Sequence, residues 1–162
     1  NIVSVSWTVN VSIMSCFSFI SMSLTWRSTD FAPKMIVTAL KAKNPDNLSF
    51  EVADATSLRF ADTSFDVVMI ANALHIIPNP EKALEEIRRV LKRDGLLIAP
   101  NFFFREGGKK NLWQKFLSLV GVRFAHEWTE KEYKAFLESN GWKIKMDRVI
   151  EGRIDLIYVE CA

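Results

Sequence analysis

Two short runs, Leu48-Ser49-Phe50-Glu51-Val52 and Phe65-Asp66-Val67-Val68-Met69-Ile70, constrain the fold of this chain more than anything else in it. Each has the length of a strand, is rich in β-branched and aromatic residues, and is closed by small or polar residues, Ala53-Asp54-Ala55 after the first and Ala71-Asn72 after the second. The second is almost continuously apolar, as a strand covered on both faces must be. A helix signal, Ala73-Leu74-His75-Ile76-Ile77, follows it. Strands of this kind belong to an open α/β sheet, where ligands bind beyond the carboxyl ends of the strands. Asp54 and the residues after Ile70 would emerge at that edge.

The punctuation that follows is regular. Pro33 suits a first helical turn, and Met35, Ile36, Ala39 and Leu40 recur at helical spacing until Asn44-Pro45, so a helix is predicted over 32–43. Asn79-Pro80 opens another as cap and first residue. Leu84, Ile87, Val90 and Leu91 form its buried stripe, acids come early and bases late, and Gly95 is its predicted end. Residues 96–99 read as a strand, 102–108 as an aromatic and then glycine-rich loop, and 112–120 as a helix carrying Trp113, Phe116, Leu117 and Val120. Thr129 with Glu132 is a capping box for a helix that stops at Asn140-Gly141. Beyond it, 142–147 and 154–160 alternate around Glu151-Gly152 and pair most simply as an antiparallel hairpin. The expected class is α/β, a mostly parallel sheet finished by an antiparallel hairpin.

The amino-terminal segment is unlike the rest. No charge occurs from Ile2 to Trp26, and Val3, Val5, Trp7, Val9, Val11 and Ile13 alternate with Ser4, Ser6, Thr8, Asn10 and Ser12, which predicts a strand over 2–14. A membrane span needs about twenty predominantly apolar residues and is disfavoured by the recurrent Ser, Thr and Asn. A signal peptide is disfavoured by the lack of a basic leader. The chain has 162 residues, 49% of them hydrophobic and 25% charged, with a net charge of +2, which suits one globular domain over 1–162 and indicates no nucleic-acid partner. Cys16 and Cys161 have no metal-type spacing and form no disulfide framework, so a reducing, cytoplasmic location is expected.

Four pieces in order, Thr29-Asp30-Phe31-Ala32-Pro33-Lys34-Met35-Ile36, the Asp54-Ala55 turn, Phe65-Asp66-Val67-Val68 with Ala73-Leu74-His75, and Glu86-Ile87-Arg88-Arg89-Val90-Leu91-Lys92-Arg93-Asp94-Gly95, resemble a class I S-adenosylmethionine-dependent methyltransferase of the small-molecule, methyltransferase type 11-like kind. The likeness covers about 30–101. It implies a Rossmann-like fold whose amino-terminal part is incomplete, with 1–29 an atypical segment and 102–128 a variable region on the substrate side. Family members carry a glycine-rich loop after the first strand, where backbone must approach the cofactor without a Cβ. This chain has no glycine before Gly95, so nothing in 1–29 matches that loop residue by residue.

The resemblance implies S-adenosyl-L-methionine as cofactor and methyl transfer to a small-molecule acceptor. By it, Asp30 with Phe31 at the end of the second strand binds the ribose; a carboxylate offers two acceptor oxygens to two hydroxyls. The alternative for Asp30 is a cap for the Pro33 helix. Asp54 and Ala55 would meet the adenine, the alternative for Asp54 being a turn before Thr56-Ser57. Ile70, Ala71, Asn72 and His75 would contact the methionine portion, with structural packing the alternative for His75. Phe103 and His126 are the candidate substrate contacts among the aromatics Phe102, Phe104, Trp113, Phe124 and Trp128, which could instead cover the sheet edge. No side chain is assigned as a catalyst or metal ligand, because an activated sulfonium needs chiefly alignment and desolvation. The competing reading is an inactive methyltransferase remnant or partner-binding module, and a thinly covered sheet face would favour self-association.

Overall fold

The computed structural model describes residues 1–6, 24–104, 125–152 and 155–162. Five strands, β1 (Ile2–Ser6), β2 (Trp26–Asp30), β3 (Leu48–Val52), β4 (Phe65–Ala71) and β5 (Leu91–Ile98), form a parallel sheet in the order β3-β2-β1-β4-β5. The antiparallel strand β8 (Leu156–Cys161) lies against β5 and the two-residue β6 (Asn101–Phe102), and β7 (Ile144–Ile150) pairs with the far side of β8. The hairpin expected at the carboxyl end is present, with its last strand inserted beside β5 and its first at the sheet edge.

Register explains the core. Val3, Val68, Leu97 and Cys161 are Cα partners across four strands, and all four are fully buried. Burying one such Val or Leu side chain contributes about 1.5–3 kcal/mol. The helices α2 (Pro80–Val90) and α3 (Glu130–Ser139) supply Leu84, Ile87, Tyr133 and Leu137 to the same cluster. Asn79 caps α2 by accepting from the Lys82 amide, and Thr129 and Glu132 cap each other's backbone at the start of α3, as read from the sequence. Arg88 ties the two helices together, lying 4.1 Å over the Trp142 ring and donating to the Asn140 carbonyl.

Several expectations are corrected: Ala73-Leu74-His75-Ile76-Ile77 forms a turn rather than a helix, its Ile76 and Ile77 amides both donating to the Ala73 carbonyl, the strand read over 96–99 begins at Leu91, and that read over 142–147 runs from Ile144 to Ile150. Helix α1 (Pro33–Leu40) stops before 43. Helix α2 ends at Val90 rather than at Gly95, because Leu91 turns to extended backbone and pairs with Phe65, after which the register slips so that Val67 meets Leu96. Gly95 serves that irregularity: a Cβ there would lie 2.6 Å from Leu91 Cγ. The strand expected over 2–14 is present as β1, and its remainder lies outside the described residues, as does the helix expected over 112–120.

Candidate cofactor and acceptor site

The parallel strands end level. Ser6 pairs with Asp30 on one side and Ala71 on the other, and Asp30 pairs with Val52, so four carboxyl tips form one row. The strand order reverses between β1 and β4, and in open parallel sheets that switch point, beyond the carboxyl ends of the strands, is where ligands bind. Paired residues share a face, which puts Asp30, Val52 and Ala71 on the same side of the sheet.

Asp30 is 0% exposed, and its Oδ1 accepts from the Ala32 amide at 2.7 Å. It does not cap α1; Ala32 is the cap residue and makes no side-chain bond. Phe31, beside it, is 48% exposed. The tip of β3 is bound to that of β2 through Ala53 N–H donating to the Asp30 carbonyl. Asp54 follows, exposed, with Oδ1 accepting from both the amide and the hydroxyl of Thr56 at 2.8 Å. It forms the turn that was its alternative reading, and that turn fixes where the carboxylate stands. Ala55 is buried.

At the tip of β4, Ile70 and Ala71 are buried and Asn72 adopts φ +49, a left-handed backbone that costs a non-glycine residue about 1 kcal/mol or more. Its amide donates to the Pro100 carbonyl, while its Oδ1, on a side chain only 7% exposed, has no partner among the described residues. A buried acceptor oxygen held unpaired on strained backbone fits a ligand that brings a donor. Three residues on, His75 is 5% exposed, with Nδ1 2.7 Å from Asn101 Oδ1. Burial, with the nearby His126 charge, pushes its pKa below the ordinary value, partly opposed by the Asn101 bond.

The two expected substrate contacts part company. Phe103 is 6% exposed and packed in the main core cluster, its amide bonded to the Asp155 carbonyl. His126 is half-buried and donates its amide to the His75 carbonyl, as does Ala125. Its ring stacks on Trp128 at 4.9 Å and 8°, and Trp128 stacks on Phe136 at 4.6 Å. These rings line an open groove of about 620 Å³ with Glu132, Ala135 and Ser139 of α3. Trp113 and Phe124 lie outside the described residues. Among the described residues no group of three or more His, Cys, Asp or Glu could hold a metal ion.

Sequence reasoning missed Asn101 as the partner of His75, since nothing local signals a contact across 26 positions. It also missed the clamp behind the Asp54 loop. Arg89 donates to Glu86, to Asp62 and to the carbonyls of Leu58 and Phe60, and Glu86 accepts from the Leu58 amide.

Comparison with known proteins agrees with this architecture. Residues 16–99 match the methyltransferase domain family. The chain is 30% identical over 156 residues to the ubiquinone/menaquinone biosynthesis C-methyltransferase UbiE of Bdellovibrio bacteriovorus, covering 80% of this chain and 65% of that protein. It is 42% identical over 73 residues to the demethylmenaquinone methyltransferase of Renibacterium salmoninarum, covering 45% of this chain and 30% of that one. The chain thus spans about two thirds of the length of the first of these curated relatives and less than a third of the second. Among solved structures, a SAM-dependent methyltransferase from Aquifex aeolicus superposes with a TM-score of 0.69 at 18% identity, over 99% of this chain and 81% of that one. The YcgJ protein of Bacillus subtilis does so with 0.72 at 14% identity, over 99% and 90%. From the extent of the family match, this chain belongs to the class I S-adenosylmethionine-dependent methyltransferases.

Proposed function

We propose that this chain transfers the methyl group of S-adenosylmethionine to a ring carbon of a small, quinone-type acceptor. The observation that carries the reading is Asn72, whose buried Oδ1 has no partner among the described residues and whose left-handed backbone follows β4, one of the two strands between which the strand order reverses. In this reading Asn72, Ile70 and Ala71 hold the methionine portion, with His75 alongside. Asp54 and the Ala55 amide take the adenine, and Asp30 with Phe31 takes the ribose. Phe103 supports the wall on the acceptor side and His126 faces the acceptor. Bound there, the cofactor supplies an electrophilic methyl group, and the chain aligns and desolvates the acceptor. Because Asp30 is shielded from solvent, ribose binding requires what covers it to move aside. The names of the two curated relatives support a quinone-type acceptor.

The reading extends to setting. Among the described residues no helix is long and apolar enough to cross a membrane, and Cys161 is a buried free thiol, both compatible with a cytoplasmic enzyme. Exposed Phe31, Val37, Leu40 and Val52 support self-association. The remnant or partner-binding alternative gains nothing from these observations.

Calorimetric titration with S-adenosylhomocysteine tests the cofactor assignment. Binding is expected, and Asp30→Ala should weaken it by about tenfold to a hundredfold, the loss of hydrogen bonds to a charged group. Absence of heat from the unaltered chain, or equal affinity in the variant, would overturn it. Transfer of a labelled methyl group to a prenylated 1,4-naphthohydroquinone tests the acceptor class.

A further inference from the structure

Arg89, in the last turn of α2, has no donor left over. Its guanidinium makes five hydrogen bonds, the full complement of an arginine. Nε and Nη2 fork onto Glu86 at 2.9 Å each, Nη2 also donates to the Leu58 carbonyl at 2.8 Å, and Nη1 donates to the Phe60 carbonyl at 2.8 Å and the Asp62 carboxylate at 2.6 Å. Glu86 completes the grip. Its Oε2 accepts from the Leu58 amide at 2.8 Å, so both polar groups of the Leu58 backbone are held from α2. What the clamp holds is the far end of the turn at 54–57, closed by the Ser57 amide donating to the Asp54 carbonyl at 3.0 Å. The near end is Ala53, tied to β2 through the Asp30 carbonyl. Asp54 thus stands on a turn strung between two fixed points. Its Oδ1 is occupied by Thr56, while its Oδ2, on an exposed residue, accepts no hydrogen bond among the described residues.

We infer that Arg89, working with Glu86, is a positioning residue for cofactor recognition: it holds the Asp54 turn where the open carboxylate oxygen accepts from an exocyclic amino group, so that the chain selects an aminopurine nucleoside over its oxo counterpart. This rests on the adenine assignment in the proposed function. A carboxylate oxygen only accepts. The amino group of adenine donates to it, whereas the carbonyl oxygen that replaces that group in hypoxanthine is a second acceptor and is repelled. A site built to bond a donor rejects the analogue that lacks it far more sharply than a site of matching shape alone. Such discrimination requires the carboxylate to be held within about 0.5 Å of its place. The turn's own bonds fix Asp54 against Thr56 and Ser57, and Ala53 anchors the near end only. Arg89 and Glu86 anchor the far end, from a helix whose Leu84 and Ile87 are buried in the core. Arg88, the preceding residue, serves a different contact, over the Trp142 ring and onto the Asn140 carbonyl.

The test is calorimetric titration of the full chain with S-adenosylhomocysteine and with S-inosylhomocysteine, in which a carbonyl oxygen replaces the amino group. The unaltered chain should bind the adenosyl ligand about tenfold to a hundredfold more tightly, the worth of a hydrogen bond to a charged group. Arg89→Ala should bring the two affinities to within about threefold of each other, chiefly by weakening the adenosyl ligand. Arg89→Lys, which keeps the charge and loses the fork, should fall between the two, and it carries the test if Arg89→Ala does not fold. Arg88→Ala removes a cation–π contact and a hydrogen bond from the same helix. It should lower the urea midpoint and leave the preference unchanged, which separates positioning from a general loss of stability. An Arg89→Ala or Arg89→Lys chain that keeps the full preference, or an Arg88→Ala chain that loses it, overturns the positioning role and leaves the proposed function standing. Equal affinity of the unaltered chain for both ligands overturns the adenine contact of Asp54 together with its clamp. A chain that binds neither ligand overturns the proposed function itself.

Discussion

At His75 the state of one ring is coupled to the stability of the whole chain. Burial is the largest influence on it and holds its pKa below the ordinary value of about 6.5. On lowering the pH, the unfolded chain therefore takes up this proton before the folded chain does. The stability His75 confers is complete above the unfolded pKa and is lost as pH falls from there toward the folded one, with a slope of at most about 1.4 kcal/mol per pH unit for one proton. Urea midpoints at constant ionic strength should drop between pH 7.5 and 5.5. His75→Gln should flatten that part of the curve, leaving the steeper loss at lower pH that belongs to carboxylates such as Glu86, whose pKa is held down chiefly by Arg89. Equal slopes in the two proteins would show that His75 is not buried neutral.

Among the elements, those with local signals were legible and those defined by distant partners were not. The capping box of α3, the Asn79-Pro80 start of α2 and the apolar β4 are written in neighbouring residues and were found where expected. Strand β2 is Trp-Arg-Ser-Thr-Asp, without alternation, and periodicity alone gives no strand there. It is one because β1 and β3 pair with both its edges and bury Ser28, Thr29 and Asp30. The same logic hid Asn101 and the true end of α2. Of the candidate site, the tips carrying Asp30, Asp54 and Asn72 could be read from the resemblance, and what holds them could not. The Arg89 clamp shows the consequence. It spans from α2 to the loop after Asp54 with a two-nitrogen fork on Glu86, a geometry that lysine cannot reproduce. Arg89→Ala should cost about 2 kcal/mol of stability, and Arg89→Lys should recover only part of it. Amide exchange at Leu58 should accelerate in both. Unchanged exchange would mean that the loop is held by its own turn.

Across the whole molecule, the two sheet edges are guarded unequally. The outer strand β7 carries Lys145, Asp147 and Arg148 beside its exposed Met146, Val149 and Ile150, and charges on an edge strand discourage pairing with another chain. The opposite end is less protected. Val37 and Leu40 lie one turn apart on α1, both more than half exposed, and Phe31 and Val52 expose apolar surface at the neighbouring strand tips. Removing apolar area from water contributes about 25 cal/mol per Å², so association should occur at α1 and the β3 edge rather than through β7. Light scattering should give a mass above that of a monomer for the unaltered chain, and Val37→Lys with Leu40→Lys should return it to the monomer mass. Charges added at Met146 and Ile150 should leave the mass unchanged. The reverse pattern would place the contact on β7, and a sharp monomer peak from the unaltered chain would show that the exposed surface of α1 is too small to hold two copies together.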